Sequence, residues 1–317
     1  MEHRRLGRPG RRGPAITRLG LGCAPLGNLY APVTDDDAQA AVDAAWTAGI
    51  RYFDTAPLYG HGLSETRLGR ALAGRPREEF VISTKVGRLI VPARRAAPGI
   101  FAVGGDRQAV FDFSPDGVRR SLEDSLGRLG VDRVDIALVH DPDDHEADAL
   151  RGAFPALVGL REEGIVGAIG AGMNQHAMLE RFVERVDLDC VLLAGRYTLL
   201  DRSGAGLLDL CADRSVGVIV GGVFNSGVLA RPEADATYDY TQVSPSVLDA
   251  AQRYGQVARQ HGVALPAVAL QFALRHPAVT SVVVGARTAV EIRFDVEGAS
   301  QRIPDALWQT VTQLPGT

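Results

Sequence analysis

Lysine is nearly absent from this sequence. Lysine and arginine together number 34, and Lys85, in the stretch VISTKVGR, is the one lysine among them. The two residue types serve equally well on most solvated surfaces, but only lysine offers a compact ammonium whose pKa its neighbours can shift. Either Lys85 has persisted by chance at the surface, or it occupies a site that requires an ammonium. The residues around it favour the second interpretation.

Cysteine is scarce, and long apolar runs are missing. The three cysteines, Cys23, Cys190 and Cys211, are odd in number and share no C-x-x-C spacing, so the sequence predicts neither a disulfide framework nor a zinc cluster. No apolar run reaches the roughly 18 residues of a membrane span. The start of the chain lacks a continuous apolar segment of signal-peptide length. We therefore expect a soluble protein of the reducing cytoplasm.

Positive charge is not in excess either. The formal net charge is -4 at pH 7 and the sequence pI is about 6.0, which gives no electrostatic reason to expect a nucleic-acid partner. The basic stretch at residues 3–13 is interpreted as a solvated terminal hairpin. Apolar residues make up 46% of the chain and charged residues 23%, as in an ordinary globular protein.

Eight short apolar or β-branched runs alternate with segments of helical length. They lie at residues 19–22, 51–54, 80–84, 134–139, 165–169, 189–193, 216–220 and 280–284. Eight such units without a linker predict a closed (β/α)8 TIM barrel, forming a single domain over residues 1–317, with an N-terminal β-hairpin at its bottom. The alternative is an open doubly wound sheet, but Gly20, Gly22 and Gly27 do not fit the G-x-G-x-x-G fingerprint that usually accompanies it.

Capping residues predict where the first helices begin and end. Thr34, followed by three aspartates, predicts a helix start, and Gly49 predicts its end. Ser114 with Pro115 directly after it predicts a second helix start, and Gly130 its end. Both helices fit the crossover connections that a parallel barrel requires.

Reactive residue types close three of the predicted strands. Asp54 ends the second strand and Tyr59 follows in its loop, Lys85 ends the third strand, and His140 ends the fourth. The carboxyl ends of barrel strands form the working face, so these four side chains can converge. Singly, Asp54 could cap a turn, His140 could be a core histidine and Tyr59 could line a pocket wall. Together they predict an active site.

The chemistry of this set is acid–base chemistry at a phenol. A tyrosine with a pKa near 10 is a poor proton donor or acceptor at neutral pH. A nearby ammonium stabilises the phenolate, so we expect Lys85 to lower the pKa of Tyr59. Asp54 would hold Lys85 in place and keep it charged, while His140 would orient the reacting oxygen.

The motifs DTAPLYG, VISTKVG and SLEDSLGRLGVDRVDIALVHDP resemble those of the aldo-keto reductase superfamily, and the resemblance extends over essentially the whole chain. It implies a (β/α)8 barrel, an NAD(P) cofactor extended across the strand ends, and hydride transfer to or from a carbonyl or carbinol carbon. The catalytic tetrad of the superfamily falls on Asp54, Tyr59, Lys85 and His140, with the tyrosine as acid or base.

The stretches CAPLGNLY, FDFSPDGVRRSLEDSL, IGAGMNQ and GGVFNSGVL are similar to the branch that contains aldose 1-dehydrogenases, fucose dehydrogenases and pyridoxal 4-dehydrogenase. In that branch Asn174 matches the residue that binds the nicotinamide carboxamide. Three positions depart from the wider superfamily, where a serine, a glutamine and a stacking tyrosine are usual: they are Met173, Ala194 and Gly221.

Because of these departures, we expect the nicotinamide pocket to be rebuilt from the Gly-rich loop that carries Phe224, Asn225 and Gly227. At the adenosine end, members that prefer NADP have a lysine and an arginine where this sequence has Gly285 and Glu291. A carboxylate repels the 2′-phosphate of NADP and can accept a hydrogen bond from the free 2′-hydroxyl of NAD. We therefore expect NAD to be favoured, with some use of NADP tolerated because Arg287 lies nearby; the alternative is that Glu291 faces solvent.

Two loops are expected to shape the substrate pocket, at residues 87–113 and 227–245. The first has no clear periodicity and carries Arg88, Arg94, Arg95, Phe101 and Phe111; we interpret it as a substrate lid, the alternative being a disordered insertion. Tyr30 and Arg88 are the predicted pocket residues. The run HDPDDH at residues 140–145 contains metal-ligand types, but acidic loops are common after strands, and we expect no metal.

The sequence therefore predicts an NAD(P)-dependent oxidoreductase that oxidises the hemiacetal carbon of a sugar, or of a sugar-like compound such as pyridoxal, to a lactone. One alternative is an NADPH-dependent aldehyde or ketone reductase, and another is a non-catalytic cofactor-binding subunit that senses redox state. The expected partner is a small carbonyl or hemiacetal compound, without nucleic acid or membrane, and the oligomeric state is left open.

Overall fold

The structure is a computed structural model that describes residues 1–7, 13–94 and 99–316. Its strands are β1 (His3–Arg5), β2 (Ala15–Thr17), β3 (Leu19–Gly22), β4 (Tyr52–Asp54), β5 (Val81–Val86), β6 (Arg88–Pro92), β7 (Arg107–Phe111), β8 (Val134–His140), β9 (Val166–Met173), β10 (Cys190–Ala194), β11 (Gly217–Gly221), β12 (Thr237–Tyr238), β13 (Thr241–Gln242) and β14 (Val279–Gly285). Each of the eight runs predicted as barrel strands overlaps one of these strands.

Eight strands close into a parallel barrel in the order β3, β4, β5, β8, β9, β10, β11, β14 and back to β3. The predicted barrel is confirmed and the open-sheet alternative is wrong. The register pairs Asp54 with Ser83, Lys85 with Leu138, and His140 with Gly172. Since β4, β5 and β8 are neighbours, their carboxyl ends bring Asp54, Lys85 and His140 to one sector of the rim.

Helices follow the barrel strands and cover the outside. They are α1 (Asp35–Thr47), α2 (Leu63–Leu72), α3 (Pro115–Leu129), α4 (Glu146–Asp148), α5 (Phe154–Glu162), α6 (His176–Arg185), α7 (Ala205–Arg214), α8 (Pro245–Gln260), α9 (Leu265–Leu274), α10 (Ala289–Ser300) and α11 (Asp305–Gln313), with a π-helical turn at Ala149–Ala153 between α4 and α5. Short 3-10 turns lie at Ala24–Gly27, Arg77–Glu79 and Asn225–Gly227.

The predicted helix caps are present. The Thr34 hydroxyl accepts a hydrogen bond from the Asp37 amide at 3.0 Å, and the Ser114 hydroxyl accepts one from the Gly117 amide at 3.0 Å. Gly130 ends α3 in the left-handed conformation, with φ 67°. The first helix ends at Thr47, two residues before the glycine that was predicted to end it.

The interior of the barrel is filled by apolar side chains and is closed at the bottom. Leu6 and Ile16, from the segment that pairs β1 with β2, are fully buried and share one cluster with barrel residues such as Tyr52 and Ile219. The predicted N-terminal hairpin is confirmed by the pairing of β1 with β2, and residues 8–12 between them lie outside the described residues. A filled interior leaves the opposite rim as the place for a site.

The segment at residues 87–113 contains a pair of strands in its described part, although its sequence shows no clear periodicity; its role as a substrate lid stays a prediction. β6 and β7 pair antiparallel from Arg88 opposite Phe111 to Pro92 opposite Arg107. The two strands hydrogen-bond to each other and not to the barrel. Strands this short leave no extended hydrophobic periodicity in the sequence. The described residues include Arg94, whereas Arg95 lies outside them.

Among the described residues, no helix combines the length and the apolarity needed to cross a bilayer. The same residues contain no group of three or more His, Cys, Asp or Glu side chains arranged to hold a metal ion. The extent of the single domain, residues 1–317, stays a prediction.

Candidate active site

The ammonium of Lys85 is buried at the carboxyl end of β5, and only 1% of the residue is exposed. Its three hydrogens have three acceptors: Asp54 Oδ2 at 2.9 Å, the Thr55 carbonyl at 2.9 Å and Tyr59 Oη at 3.0 Å. The surface interpretation of the single lysine is therefore wrong. A planar guanidinium, which is larger and presents its donors in a rigid fork, does not match this compact arrangement.

Asp54 is fixed from two sides. Its Oδ2 atom accepts from Lys85, and its Oδ1 atom accepts from the Ser83 hydroxyl at 2.7 Å. Ser83 in turn lies 2.9 Å from the phenol oxygen of Tyr52 inside the barrel. This chain of hydrogen bonds satisfies the carboxylate, so a buried charge pair is held in one geometry.

Tyr59 reaches Lys85 because the backbone of its loop packs directly on a neighbouring turn. A Cβ atom added to Gly27 would come within 2.5 Å of the Tyr59 carbonyl carbon, and Gly60, at φ 63°, lies against the same turn. Burial raises the pKa of Tyr59 above its ordinary value; Lys85 lowers it, and Asp54 raises it. The expectation of a lowered pKa is wrong, since burial outweighs the ammonium and leaves the phenol protonated.

Burial alone would lower the pKa of Lys85, but Asp54 and Tyr59 more than offset this, and the pKa of the ammonium lies above its ordinary value. Lys85 therefore stays charged at any pH at which the protein would operate. The charge stays within hydrogen-bond distance of the Tyr59 oxygen, where it favours phenolate over phenol.

The His140 imidazole lies nearly perpendicular to the Tyr59 ring, at 86°, with 5.9 Å between ring centroids. Burial, together with the positive charges of Lys85 and Arg88, places the pKa of His140 well below its ordinary value. Its Nδ1 atom is buried and has no hydrogen-bond partner in the described part of the chain. The imidazole is therefore neutral, and it can donate one hydrogen bond to an oxygen within its reach.

Asp141, next to His140, stands out in the sequence only as part of an acidic run, and the structure places it in the site. Its Oδ2 atom lies 3.4 Å from His140 Nε2 and accepts a hydrogen bond from Arg88 Nη2 at 3.0 Å. Arg88, a predicted pocket residue, thus reaches the site through Asp141, while its guanidinium stacks on the Phe111 ring at 4.4 Å. The position of Asp141 just after a barrel strand was the available signal.

A cavity of about 600 Å³ runs from this sector across the rim. Its wall includes these residues predicted to contact cofactor or substrate: Tyr30, Tyr59, Asn174, Phe224, Asn225, Gly227, Gly285, Arg287 and Glu291. The structure thus brings the predicted cofactor residues together in one cleft that begins at Asp54 and Tyr59. His140, Lys85 and Arg88 lie beside this cleft and do not form its wall.

Two asparagines sit in the middle of the cleft. Asn174 Nδ2 donates to the Ala194 carbonyl at 3.0 Å, and Asn225 Nδ2 donates to the Gly195 carbonyl at 3.3 Å. The Asn225 Oδ1 atom is buried without a hydrogen-bond partner among the described residues. An orphaned acceptor of this kind is costly unless a ligand donates to it, so the site suits a ligand with an amide or hydroxyl group.

The far end of the cleft carries paired charges. Glu291 accepts hydrogen bonds from the Arg287 amide at 2.6 Å and from Arg287 Nη2 at 3.3 Å, and its own amide donates to the Thr288 hydroxyl at 3.2 Å. Glu291 also lines the cleft while 41% of its side chain is exposed, so its contact with a cofactor stays a prediction. Asp295, one turn further along α10, also lines the cleft, and burial followed by the nearby Glu291 raises its pKa to about 7.

Two aromatic rings that were not among the predicted pocket residues lie in the cleft or beside Tyr59. Tyr240, in the turn between β12 and β13, lies 6.3 Å from the Tyr30 ring, and burial raises the pKa of its phenol although a hydrogen bond to Asn174 lowers it. The Phe101 ring lies 5.8 Å from the Tyr59 ring. Both predicted substrate loops thus contribute a ring at the site, which the sequence alone could not orient.

The residues present fit a nicotinamide dinucleotide. The cleft is long, it has amide groups near Tyr59 and an orphaned acceptor at Asn225, and it ends at a guanidinium and two carboxylates. Left-handed Gly222 and Gly227 allow the backbone to approach a bound group closely.

The sequence matches the model of the Aldo/keto reductase family over residues 18–314. It is 45% identical over 311 residues to the D-threo-aldose 1-dehydrogenase of a Pseudomonas species, covering 95% of this chain and 94% of that protein. It is 42% identical over 325 residues to the pyridoxal 4-dehydrogenase of Microbacterium luteolum, covering 95% of each chain. The fold is similar to that of a solved aldo-keto reductase from Bacillus halodurans in its holo form, with a TM-score of 0.78, 25% identity and coverage of 99% of this chain and 96% of that one.

Proposed function

The chain belongs to the aldo/keto reductase family, and from this we propose that it is an NAD(P)-dependent dehydrogenase that oxidises the hemiacetal carbon of an aldose, or of a sugar-like hemiacetal such as pyridoxal, to a lactone. The observation that carries the proposal is the hydrogen-bonded set of Asp54, Lys85 and Tyr59 facing a neutral His140. The names of the two relatives at 45% and 42% identity support the hemiacetal carbon as the reacting centre.

Tyr59 is the proposed acid–base. Tyr59 lines the cleft, so its oxygen can meet a substrate hydroxyl there, whereas both oxygens of Asp54 already accept hydrogen bonds from Ser83 and Lys85. In oxidation the hydroxyl proton passes to Tyr59 Oη, and the adjacent Lys85 ammonium stabilises the phenolate that must form first. Asp54 keeps that ammonium charged and in place.

His140 is the proposed orienting group. Its imidazole is neutral, so it can donate a hydrogen bond to the reacting oxygen without competing for the proton that Tyr59 takes. Tyr59 and His140 would hold the reacting oxygen of the substrate between them, so that the carbon bonded to it faces the cleft. A nicotinamide cofactor, when bound, supplies the hydride acceptor, and Asn174 and Asn225 are the residues that would hold its carboxamide end.

We also propose that NAD is favoured over NADP. Glu291 places a carboxylate at the far end of the cleft, where Asp295 also lines the wall, and Arg287 is already paired with Glu291. A 2′-phosphate would meet the negative charge of Glu291 and compete with it for Arg287, whereas a 2′-hydroxyl can donate to a carboxylate.

The cofactor preference can be tested with Glu291→Gln, using Glu297→Gln on the exposed face of the same helix as a matched control. Removing the charge frees Arg287, so we expect the ratio of kcat/KM for NAD over NADP to fall about tenfold in Glu291→Gln and to stay constant in the control. A wild type that favours NADP tenfold, about 1.4 kcal/mol in transition-state stabilisation, would contradict the proposal.

The activity can be tested with a panel of aldoses, deoxysugars, pyridoxal and simple aldehydes, each with NAD and NADP. The expected product from an active aldose is a lactone that hydrolyses to the aldonic acid. Efficient reduction of simple aldehydes without oxidation of any sugar or of pyridoxal would overturn the hemiacetal proposal.

We place the activity in the cytoplasm, since Cys23, Cys190 and Cys211 are all free thiols.

A further inference from the structure

Asp141 holds a carboxylate beside the imidazole of His140, in a strained backbone conformation. Its φ angle is 41°, in the left-handed region, and its amide donates to the Gly172 carbonyl at 3.1 Å across the barrel rim. Non-glycine residues adopt this conformation at an energetic cost, and such strain concentrates at functional sites. The conformation therefore points to a requirement for the position of this side chain.

The carboxylate of Asp141 is fixed by one hydrogen bond and stays partly exposed. In the described part of the chain its hydrogen bond comes from Arg88 Nη2 alone, at 3.0 Å, and 29% of the side chain stays exposed. Its charge acts on the phenols of Tyr59 and Tyr240, both of which line the cleft. A partly exposed carboxylate that accepts one hydrogen bond keeps acceptor capacity beside His140.

The spacing of Asp141 from His140 matches a pair of neighbouring hydroxyls. His140 Nε2 and Asp141 Oδ2 lie 3.4 Å apart, one a potential donor and the other an acceptor. In an aldose the hydroxyl on the reacting carbon and the hydroxyl on the adjacent carbon are separated by a similar distance. If His140 donates to the first of these oxygens, the second lies within reach of Asp141.

We propose that Asp141, positioned by Arg88, accepts a hydrogen bond from the hydroxyl adjacent to the reacting carbon and so selects substrates with vicinal hydroxyls. This inference rests on the proposed function and adds to it the group that recognises a polyhydroxylated substrate. A carboxylate is suited to this task, because a hydrogen bond to a charged acceptor contributes more than one between neutral groups.

A purely structural role makes a different prediction. Arg88 stacks on Phe111 and starts β6, so the Asp141–Arg88 pair could serve only to anchor the β6–β7 hairpin. In that case the loss of Asp141 would lower kcat/KM by the same factor for all substrates, whatever hydroxyls they carry.

The test compares an aldose that the wild type oxidises with its 2-deoxy analogue, in the wild type, Asp141→Asn and Arg88→Met. Asparagine keeps the size of the side chain and tolerates the left-handed conformation. We expect the wild type to lose about 10- to 100-fold in kcat/KM on the 2-deoxy analogue, mainly through KM. Asp141→Asn should lose a similar factor on the aldose and discriminate little between the two, while Arg88→Met should show a smaller loss of discrimination. Thermal denaturation of each variant controls for folding.

An Asp141→Asn enzyme that keeps the wild-type ratio between aldose and 2-deoxy analogue, whatever its overall rate, overturns the inference and leaves the proposed function standing. A wild type that oxidises the two compounds equally also overturns it alone. A wild type that oxidises no aldose overturns the inference, and one that oxidises neither an aldose nor pyridoxal overturns both proposals.

Discussion

Lys85 connects the composition of the chain to its chemistry. The one lysine of the sequence donates all three of its hydrogens within the site, to Asp54, Thr55 and Tyr59. The sequence could predict that this residue matters, because its type is so rare here. It could not predict the degree of burial, which makes the ammonium part of the packing as well as part of the chemistry.

Replacing Lys85 by methionine should lower turnover by about 100-fold or more, because the charge that stabilises the Tyr59 phenolate is lost. It should also destabilise the fold by about 3–5 kcal/mol, because Asp54 is left as a buried charge without its partner. Lys85→Arg keeps the charge, but its fork does not fit three acceptors around one nitrogen, so it should not restore turnover. Steady-state kinetics and denaturant unfolding measure the two effects. Near-normal turnover in the arginine variant would show that the ammonium is not needed.

The pKa of Tyr59 sets the pH dependence of the proposed reaction. Burial raises this pKa above the ordinary value near 10, so the phenolate fraction grows with pH throughout the accessible range. Oxidation, in which Tyr59 acts as the base, should therefore accelerate from about pH 7 to about pH 10 without levelling off. A pH–rate profile for kcat checks this, with Tyr59→Phe as the control for other titrating groups. A plateau that begins below about pH 8 would assign the base to a different residue.

At the scale of elements, features marked by a local sequence pattern could be predicted, and features that depend on contacts in the folded chain could not. The barrel strands could be predicted because their apolar and β-branched runs alternate with segments of helical length, and caps such as Ser114 and Gly130 mark the bounds of a helix between them. β6 and β7 could not, since they pair only with each other. The place of Asp141 in the site was missed because its left-handed backbone and its bond to Arg88 depend on the folded arrangement of β8 and β6.

Helix α10 contains a carboxylate that should make the stability of the fold depend on pH. Burial, followed by Glu291, raises the pKa of Asp295 from 3.8 to about 7. Because the folded state then binds a proton that the unfolded state releases, this residue lowers the free energy of unfolding as the pH rises from about 4 to about 7.

Asp295→Asn removes this penalty. Without bound cofactor, the variant should gain about 1–3 kcal/mol more stability over the wild type at about pH 8 than at about pH 5. Urea unfolding at the two pH values measures the difference, and Glu297→Gln, exposed on the same helix, serves as the control. A gain that is equal at both pH values would show that Asp295 is ionised in the folded state even near pH 5.

At the scale of the whole molecule, the barrel brings residues that are far apart in sequence to one rim. The acid–base group follows β4, the ammonium ends β5 and the imidazole ends β8, while the far end of the cleft lies after β14. The chain order of these elements could be read from the sequence. The position of the Tyr240 ring in the cleft, and of the Phe101 ring against Tyr59, could not, because both lie on hairpins whose placement depends on packing against the finished barrel.

The most direct measurement follows the hydrogen on the reacting carbon. An aldose that the enzyme oxidises would be supplied with deuterium at C1 together with NAD, and both products would be analysed by mass spectrometry. We expect one deuterium in each reduced cofactor for each lactone formed, and a loss of about 100-fold or more in the rate of this transfer in Tyr59→Phe. Deuterium that remains in the sugar product, or transfer at an undiminished rate in Tyr59→Phe, would contradict oxidation of the hemiacetal carbon by this site.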